Sequence, residues 1–336
     1  MLNPSLGQLL EDAQRFAPSY GGGLSNHLPM TLIALHGLGA DSAVLAAHAL
    51  RYAKRLEPQH RGDMQIDVAR FERYLGDWSA HVSYKEFFAK AIVQNGFEQT
   101  LAAWWPQLAP GIAAAGFHGL IRLAYGADAK VAAEQASGLA YIASGYTPLI
   151  DNDAPIPAGF EAAPVTLERL RAAFAGHKID AGLIMEELRL ATEEPQFFAN
   201  VRMPLLDSAE ACALLRNDLA RQAVRIYLAD PNFNSLHLVT ATHALEVVLD
   251  HLPEAMHART LAHYWVAFCA GYVGIGAPVP ADVSSSGTVN WQPAIDVALN
   301  TPNDHTIKMV HTCRAQFARH GDAAYGAAAM KVANRA

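Results

Sequence analysis

The chain has 336 residues, 51% of them apolar and only 17% charged, with a formal charge of -7 when histidine is neutral. That length supplies a large buried core without covalent staples, and that composition excludes a disordered chain. A mild acidic excess also excludes a general nucleic-acid binder, which needs a basic stripe.

Alanine and leucine recur at helical spacing, and runs of β-branched residues are scarce. An all-α fold is therefore predicted, a single large helical domain over residues 1–336 with a central cavity between helices. The first segment, Met1–Tyr20, carries early acids and lacks the basic start and apolar run of a secretory signal. Apolar residues then follow helical intervals from Pro29 to Leu56. Gly37 and Gly39 divide that stretch into two helices, the second capped by Asp41 or Ser42. Ser83-x-x-Glu86 reads as a capping box that opens a helix through Phe87, Phe88 and Ile92. Residues 147–164 contain Pro148, Pro155, Pro157 and Pro164, and residues 273–293 are rich in Gly, Pro and Ser. Both read as loops, or lids over a site. Asp207-x-x-Glu210 opens a further helix that stops before Pro231. Leu236–Leu252 is apolar on most sides and is predicted to be a buried helix. Ala258–Ala270 and Asp304–Arg319 complete the set.

No apolar stretch reaches the roughly 18 residues of a membrane span without interruption. Cys212, Cys269 and Cys313 lie far apart and form no CxxC, which argues against a zinc ribbon or a disulfide framework. A cytoplasmic location is expected. The phosphate-loop, GxSxG, HExxH and dinucleotide fingerprints are missing. Gly21–Gly23 and the patch Gly271, Gly274 and Gly276 read as turns between helices.

Histidine is abundant, at 15 residues, and is the commonest metal ligand. Four stand in apolar settings punctuated by Gly or Pro, each near a helix start: His27, His118, His237 and His305. Lys308 follows His305 by three residues and so shares its helix face. An ammonium cannot coordinate a metal, but a buried neutral lysine reacts with carbon dioxide to give an anionic carbamate. On residue type alone, such histidines are more often packed core or surface residues than ligands, and such a lysine more often snorkels.

Four segments together carry a resemblance: Leu24–Ala40 (LSNHLPMTLIALHGLGA), Gly116–Gly126 (GFHGLIRLAYG), Leu236–Leu245 (LHLVTATHAL) and Asn303–Cys313 (NDHTIKMVHTC). The chain resembles the questin oxidase-like family, known from fungal aromatic polyketide pathways and present in bacteria. The resemblance implies a mostly helical oxygenase that cleaves or oxidises a polycyclic aromatic or quinone, such as an anthraquinone, with dioxygen. It implies non-haem Fe(II) held by four histidines and a carboxylated lysine, carried here onto His27, His118, His237, His305 and Lys308. Imidazole sites also accept zinc. His36, His243 and His311 are reserve positions for a ligand. Arg122, Tyr125 and Asp304 are candidates to support the ligands or touch the substrate. Trp104, Trp105, Phe117 and Tyr125 are candidates to line an aromatic pocket. The expected partners are a small aromatic molecule and dioxygen, with no nucleic acid or membrane. Two other readings stand beside this one: an NADPH-dependent Baeyer–Villiger-type monooxygenase without metal, and a non-catalytic helical metal-binding protein.

Overall fold

Helical spacing becomes helix almost everywhere. A computed structural model describes residues 4–60, 62–150 and 161–336. In chain order the α-helices are α1 (Leu6–Ala13), α2 (Leu28–Gly37), α3 (Ser42–Ala53), α4 (His81–Asn95), α5 (Phe97–Leu108) and α6 (His118–Asp128). They continue as α7 (Ala132–Ser144), α8 (Ala163–Phe174), α9 (Ile184–Glu193), α10 (Phe197–Asn200) and α11 (Ala209–Ala229). The last five are α12 (Phe233–Asp250), α13 (His257–Gly274), α14 (Gln292–Asn300), α15 (Asp304–His320) and α16 (Ala324–Ala333). Among the described residues the only sheet is an antiparallel ribbon of two short strands, β1 (Ser19–Tyr20) and β2 (Leu24–Ser25).

Several expected signals act as read. Asp41 caps α3 by accepting the Val44 N–H at 2.9 Å. The loop between α13 and α14 covers most of residues 273–293. Residues 151–160 of the other expected loop lie outside the described residues. Gly21–Gly23 form the tip of the ribbon. Gly271 and Gly274, however, lie inside α13, and only Gly276 takes the positive φ of a turn. Two caps are displaced. Ser83 sits inside α4, because a 3-10 turn capped by Asp77 (Trp78–Ala80) runs straight into that helix. Ser208, rather than Asp207, caps α11 by accepting the Ala211 N–H at 3.1 Å.

Buried apolar side chains from α1 to α16 form one continuous cluster. Its axis is α12 and α13, buried without a break over Ser235–Leu249 and Thr260–Gly274. Four helices close a ring: α2 packs on α6, α6 on α12, α12 on α15, and α15 on α2. Each contributes one of the four singled-out histidines, always near its N-terminal end.

Candidate metal centre and adjoining cavity

His27 is the residue just before α2. The Asn26 Oδ1 accepts the Leu28 N–H at 3.0 Å, Pro29 occupies the first turn, and the His27 side chain is left free of any capping duty. His118 opens α6 after three successive residues with positive φ, Ala115, Gly116 and Phe117. Two of these are not glycine and carry a cost of roughly 1–2 kcal/mol each. Such strain is typical of a site whose geometry matters more than its local comfort. At Gly116 a Cβ would meet the Ile184 side chain at 2.7 Å, so that position needs glycine twice over. His237 lies one turn into α12, whose start is held by a capping box between Asn232 and Ser235. His305 is the second residue of α15, capped by Asn303.

The four imidazoles come together. Ring centroids are 4.8 Å apart for His27–His118, His27–His305 and His118–His237, and 5.4 Å for His237–His305. Three of the rings have their Nδ1–H committed. His27 donates to the Asp304 carboxylate, His118 to the Ala115 carbonyl at 2.6 Å, and His237 to the Phe233 carbonyl at 2.7 Å. Each neutral ring therefore turns an unprotonated Nε2 inward. The Nε2 atoms of His27 and His305 are buried without a hydrogen-bond partner. Those of His118 and His237 face each other at 3.2 Å, lone pair against lone pair.

A proton is a poor remedy for that conflict. Burial, then the nearby Lys308 ammonium, lowers His27 to about 4, against the opposing pull of Asp304. The same two causes, in the same order, lower His237 to about 3. Burial also takes His118 and His305 well below the usual histidine range. A metal cation would relieve it as well, and one nitrogen inward with the other donating to a carbonyl or carboxylate is a pattern that metal-bound histidines adopt. One nitrogen each of His27 and His305 and a carboxylate oxygen of Asp304 also lie within 4.8 Å of one another. Burial pushes the Asp304 carboxyl up, but its hydrogen bond to His27 and the surrounding positive charge outweigh that, so it stays ionised.

Lys308 is buried one turn beyond His305. Burial brings its ammonium down to about 8, although Asp304 opposes the shift. An appreciable neutral fraction then exists near neutral pH, as carbamate formation requires.

The reserve histidines stand elsewhere. His36 is exposed near the end of α2. His243 donates toward Gln316 Oε1 at 3.3 Å, and His311 packs against the Tyr125 ring with centroids 5.5 Å apart. Of the supporting candidates, only Asp304 reaches the cluster. Arg122 is locked in a buried bidentate pair with Glu134, at 2.8 and 3.2 Å. Tyr125 is buried against His311 and does not line the cavity.

A cavity of about 1070 Å³ opens onto His27, His118, Asp304 and His305. This is at the top of the usual range of about 300–1,000 Å³ for small-molecule sites. Its wall corrects the expected lining. Trp104 packs on Phe71, Trp105 donates to Thr260 at 2.8 Å, and Phe117 packs on Tyr264, all away from the cavity. Tyr20, Trp78 and Phe233 take their place, with Leu183, Ile184 and Met185. Phe233 covers the histidines, its ring 4.4 Å from that of His237 and 4.7 Å from that of His305. The sequence carried a usable sign of Phe233, since Asn232 and Ser235 mark it as the first residue of a helix. Tyr52, whose hydroxyl accepts the His27 backbone N–H at 3.0 Å, and Arg55, at the cavity wall, gave none.

A search of curated proteins finds no match. The family model described as questin oxidase-like matches residues 24–196 and 207–313, which contain all four histidines, Asp304 and Lys308. The chain belongs to the questin oxidase-like family.

Proposed function

We propose that this protein is a metal-dependent oxygenase that oxidises or cleaves a polycyclic aromatic or quinone with dioxygen. The metal, most simply iron, would be held by His27, His118, His237 and His305, with Lys308 as its carbamate. The observation that carries this reading is the convergence of four imidazoles, three of them with an unprotonated Nε2, in which two Nε2 atoms are buried without partners and two are opposed at 3.2 Å. Membership of the family supports the oxidoreductase class and a small-molecule substrate. Imidazole donors suit iron, and they also suit zinc.

Ferrous iron at this centre supplies the one-electron chemistry that lets dioxygen react with a closed-shell aromatic. The rest is the work of the chain. Asp304 and the Ala115 and Phe233 carbonyls hold three rings in the tautomer that donates from Nε2. The neutral Lys308 amine adds to carbon dioxide and loses one proton, giving the only anion in an otherwise neutral donor set. Helix N-termini converge there from the ring of four helices, and their positive dipole ends favour that anion and a developing oxyanion on the substrate. The apolar wall of Trp78, Leu183, Ile184 and Phe233 binds a flat aromatic and displaces water from it.

The test is metal analysis of freshly purified protein together with oxygen uptake on a hydroxyanthraquinone. Near-stoichiometric metal that falls in His118→Ala and His237→Ala, with oxygen-dependent turnover, supports the reading. Turnover at the same rate without dioxygen overturns it. Metal-free protein that consumes NADPH with the substrate favours the Baeyer–Villiger-type alternative.

A further inference from the structure

Among the described residues the cavity wall carries one permanent cation, and it is not the arginine that the sequence singled out. Arg122 is withdrawn into its pair with Glu134. Arg55 instead follows α3 at the cavity wall, its guanidinium lying over the Tyr52 ring at 3.9 Å from the centroid. Stacking on an aromatic face steadies the planar group and leaves its N–H edge free to bond. Tyr52 is itself fixed, because its hydroxyl accepts the His27 backbone N–H. Arg55, Tyr52 and His27 thus form a short rigid bracket from the cavity wall to the histidine cluster.

The acids of the same wall are already engaged. Glu57 accepts the Gly21 N–H at 2.9 Å, Asp304 accepts from His27, and Glu186 pairs with Arg189 at 2.6 Å. Among the described residues Arg55 makes no ion pair. Its charge nevertheless reaches His27 and contributes to lowering that ring's basicity. The lining thus combines apolar side chains, three of the clustered histidines and one stacked guanidinium.

We infer that Arg55 is a specificity residue that receives an anionic substituent, a carboxylate or an ionised phenol, on the edge of the aromatic substrate. The fork of N–H donors matches a carboxylate in two-point contact and would orient the ring system relative to the histidines. The inference rests on the reading of this cavity as the seat of an aromatic substrate. It adds the chemical class: polycyclic aromatic acids rather than neutral polycycles.

Calorimetric titration of the purified protein with anthraquinone-2-carboxylate and with its neutral carboxamide tests it. The two probes share a ring system and differ in charge. The carboxylate is expected to bind about tenfold tighter or more, the range of a charge-assisted hydrogen bond. Arg55→Gln removes that preference and leaves carboxamide binding unchanged, whereas Arg55→Lys keeps part of it. Arg55 is exposed, so these variants fold, and their melting curves verify it. Equal affinities in the unaltered protein overturn the inference, as does an Arg55→Gln variant that weakens both probes alike. If neither probe binds, the aromatic-cavity reading fails and takes this inference with it. Carboxamide binding without a charge preference overturns the anion site alone.

Discussion

The Nε2 atoms of His118 and His237 face each other at 3.2 Å, while the Nδ1–H of each ring is spent on a backbone carbonyl. Neutral rings in this arrangement repel, and burial makes the protonated alternative costly. A metal that binds only the folded chain removes the repulsion and adds stability by mass action, about 4 kcal/mol at a thousandfold excess over Kd. Chelation is therefore expected to lower the Tm of the unaltered protein. In His237→Ala the same chelator should shift Tm little, because the site is already broken. Equal shifts in both proteins would count against a site at these residues.

Asp304 ties two of the histidines together, accepting the His27 Nδ1–H and lying 3.7 Å from the His305 Nδ1. Asp304→Asn keeps an acceptor for His27 but removes the charge that holds its tautomer. Loss of such an outer partner typically costs about 10–100-fold in metal affinity. Competition with a chromophoric chelator measures it. An unchanged Kd would show that His27 is held by packing alone.

Arg122 and Glu134 form an ion pair that is nearly inaccessible to solvent. Arg122→Leu strands the Glu134 charge in the core and is expected to destabilise the fold by about 3–5 kcal/mol. Adding Glu134→Leu should recover much of that loss. Metal stoichiometry is expected to survive in the folded fraction of both variants. Metal lost in parallel across a series of denaturant concentrations where the fold persists would instead place Arg122 in the site.

The contrast between Arg122 and His118 shows what a sequence can disclose. They lie four residues apart on α6, so helical phase alone assigns them one face. The difference comes from α7, which approaches α6 so closely that a Cβ on Gly138 would collide with Leu123, and which brings Glu134 to Arg122. Nothing local to either residue announces that approach. The histidines were legible because Gly and Pro mark the backbone turns that precede or surround them. Asp41 was legible as a cap because capping is a local contact. Ser83 misled because a 3-10 turn feeding into α4 moved the helix start back by three residues. Trp104, Trp105 and Phe117 have the right chemistry for a pocket, but the core claimed them, and the cavity took Tyr20, Trp78 and Phe233 from segments that pattern alone does not bring together.

Histidines outside the centre make the fold acid-sensitive. Burial is the leading cause for each: His81 and His311 fall to about 3, His48 and His263 to about 4. In the unfolded chain they titrate near the ordinary value of about 6.5. Between about pH 6.5 and 4 the unfolded state thus binds more protons than the folded one, and stability falls as pH falls. Each such residue contributes up to about 1.4 kcal/mol per pH unit in that window. Urea midpoints of the metal-free protein are expected to change little around pH 7 and to drop steeply from pH 6.5 to 5. A midpoint independent of pH over that interval would show these side chains to be hydrated.

Lys308 offers the sharpest test of the centre. As an ammonium it would repel a dication held by the neighbouring imidazoles; as a carbamate it would supply an oxygen donor and offset part of the metal's charge. The two states respond differently to carbon dioxide. If the carbamate is the ligand, metal-free protein prepared in carbon-dioxide-free buffer takes up little metal, and added bicarbonate restores uptake. Mild acid reverses this, since protonation releases carbon dioxide from a carbamate before the depressed histidines accept protons. Lys308→Ala should lose metal whether or not bicarbonate is present, and a short carboxylate such as formate, entering the space left by the side chain, should restore part of it. A carbamate carbon signal after equilibration with isotopically labelled bicarbonate, absent in Lys308→Ala, would identify the adduct directly. Lys308→Ala protein that loads metal as the unaltered chain does, in buffer free of carbon dioxide, would remove the lysine from the donor set and leave the four histidines and Asp304 to hold the ion.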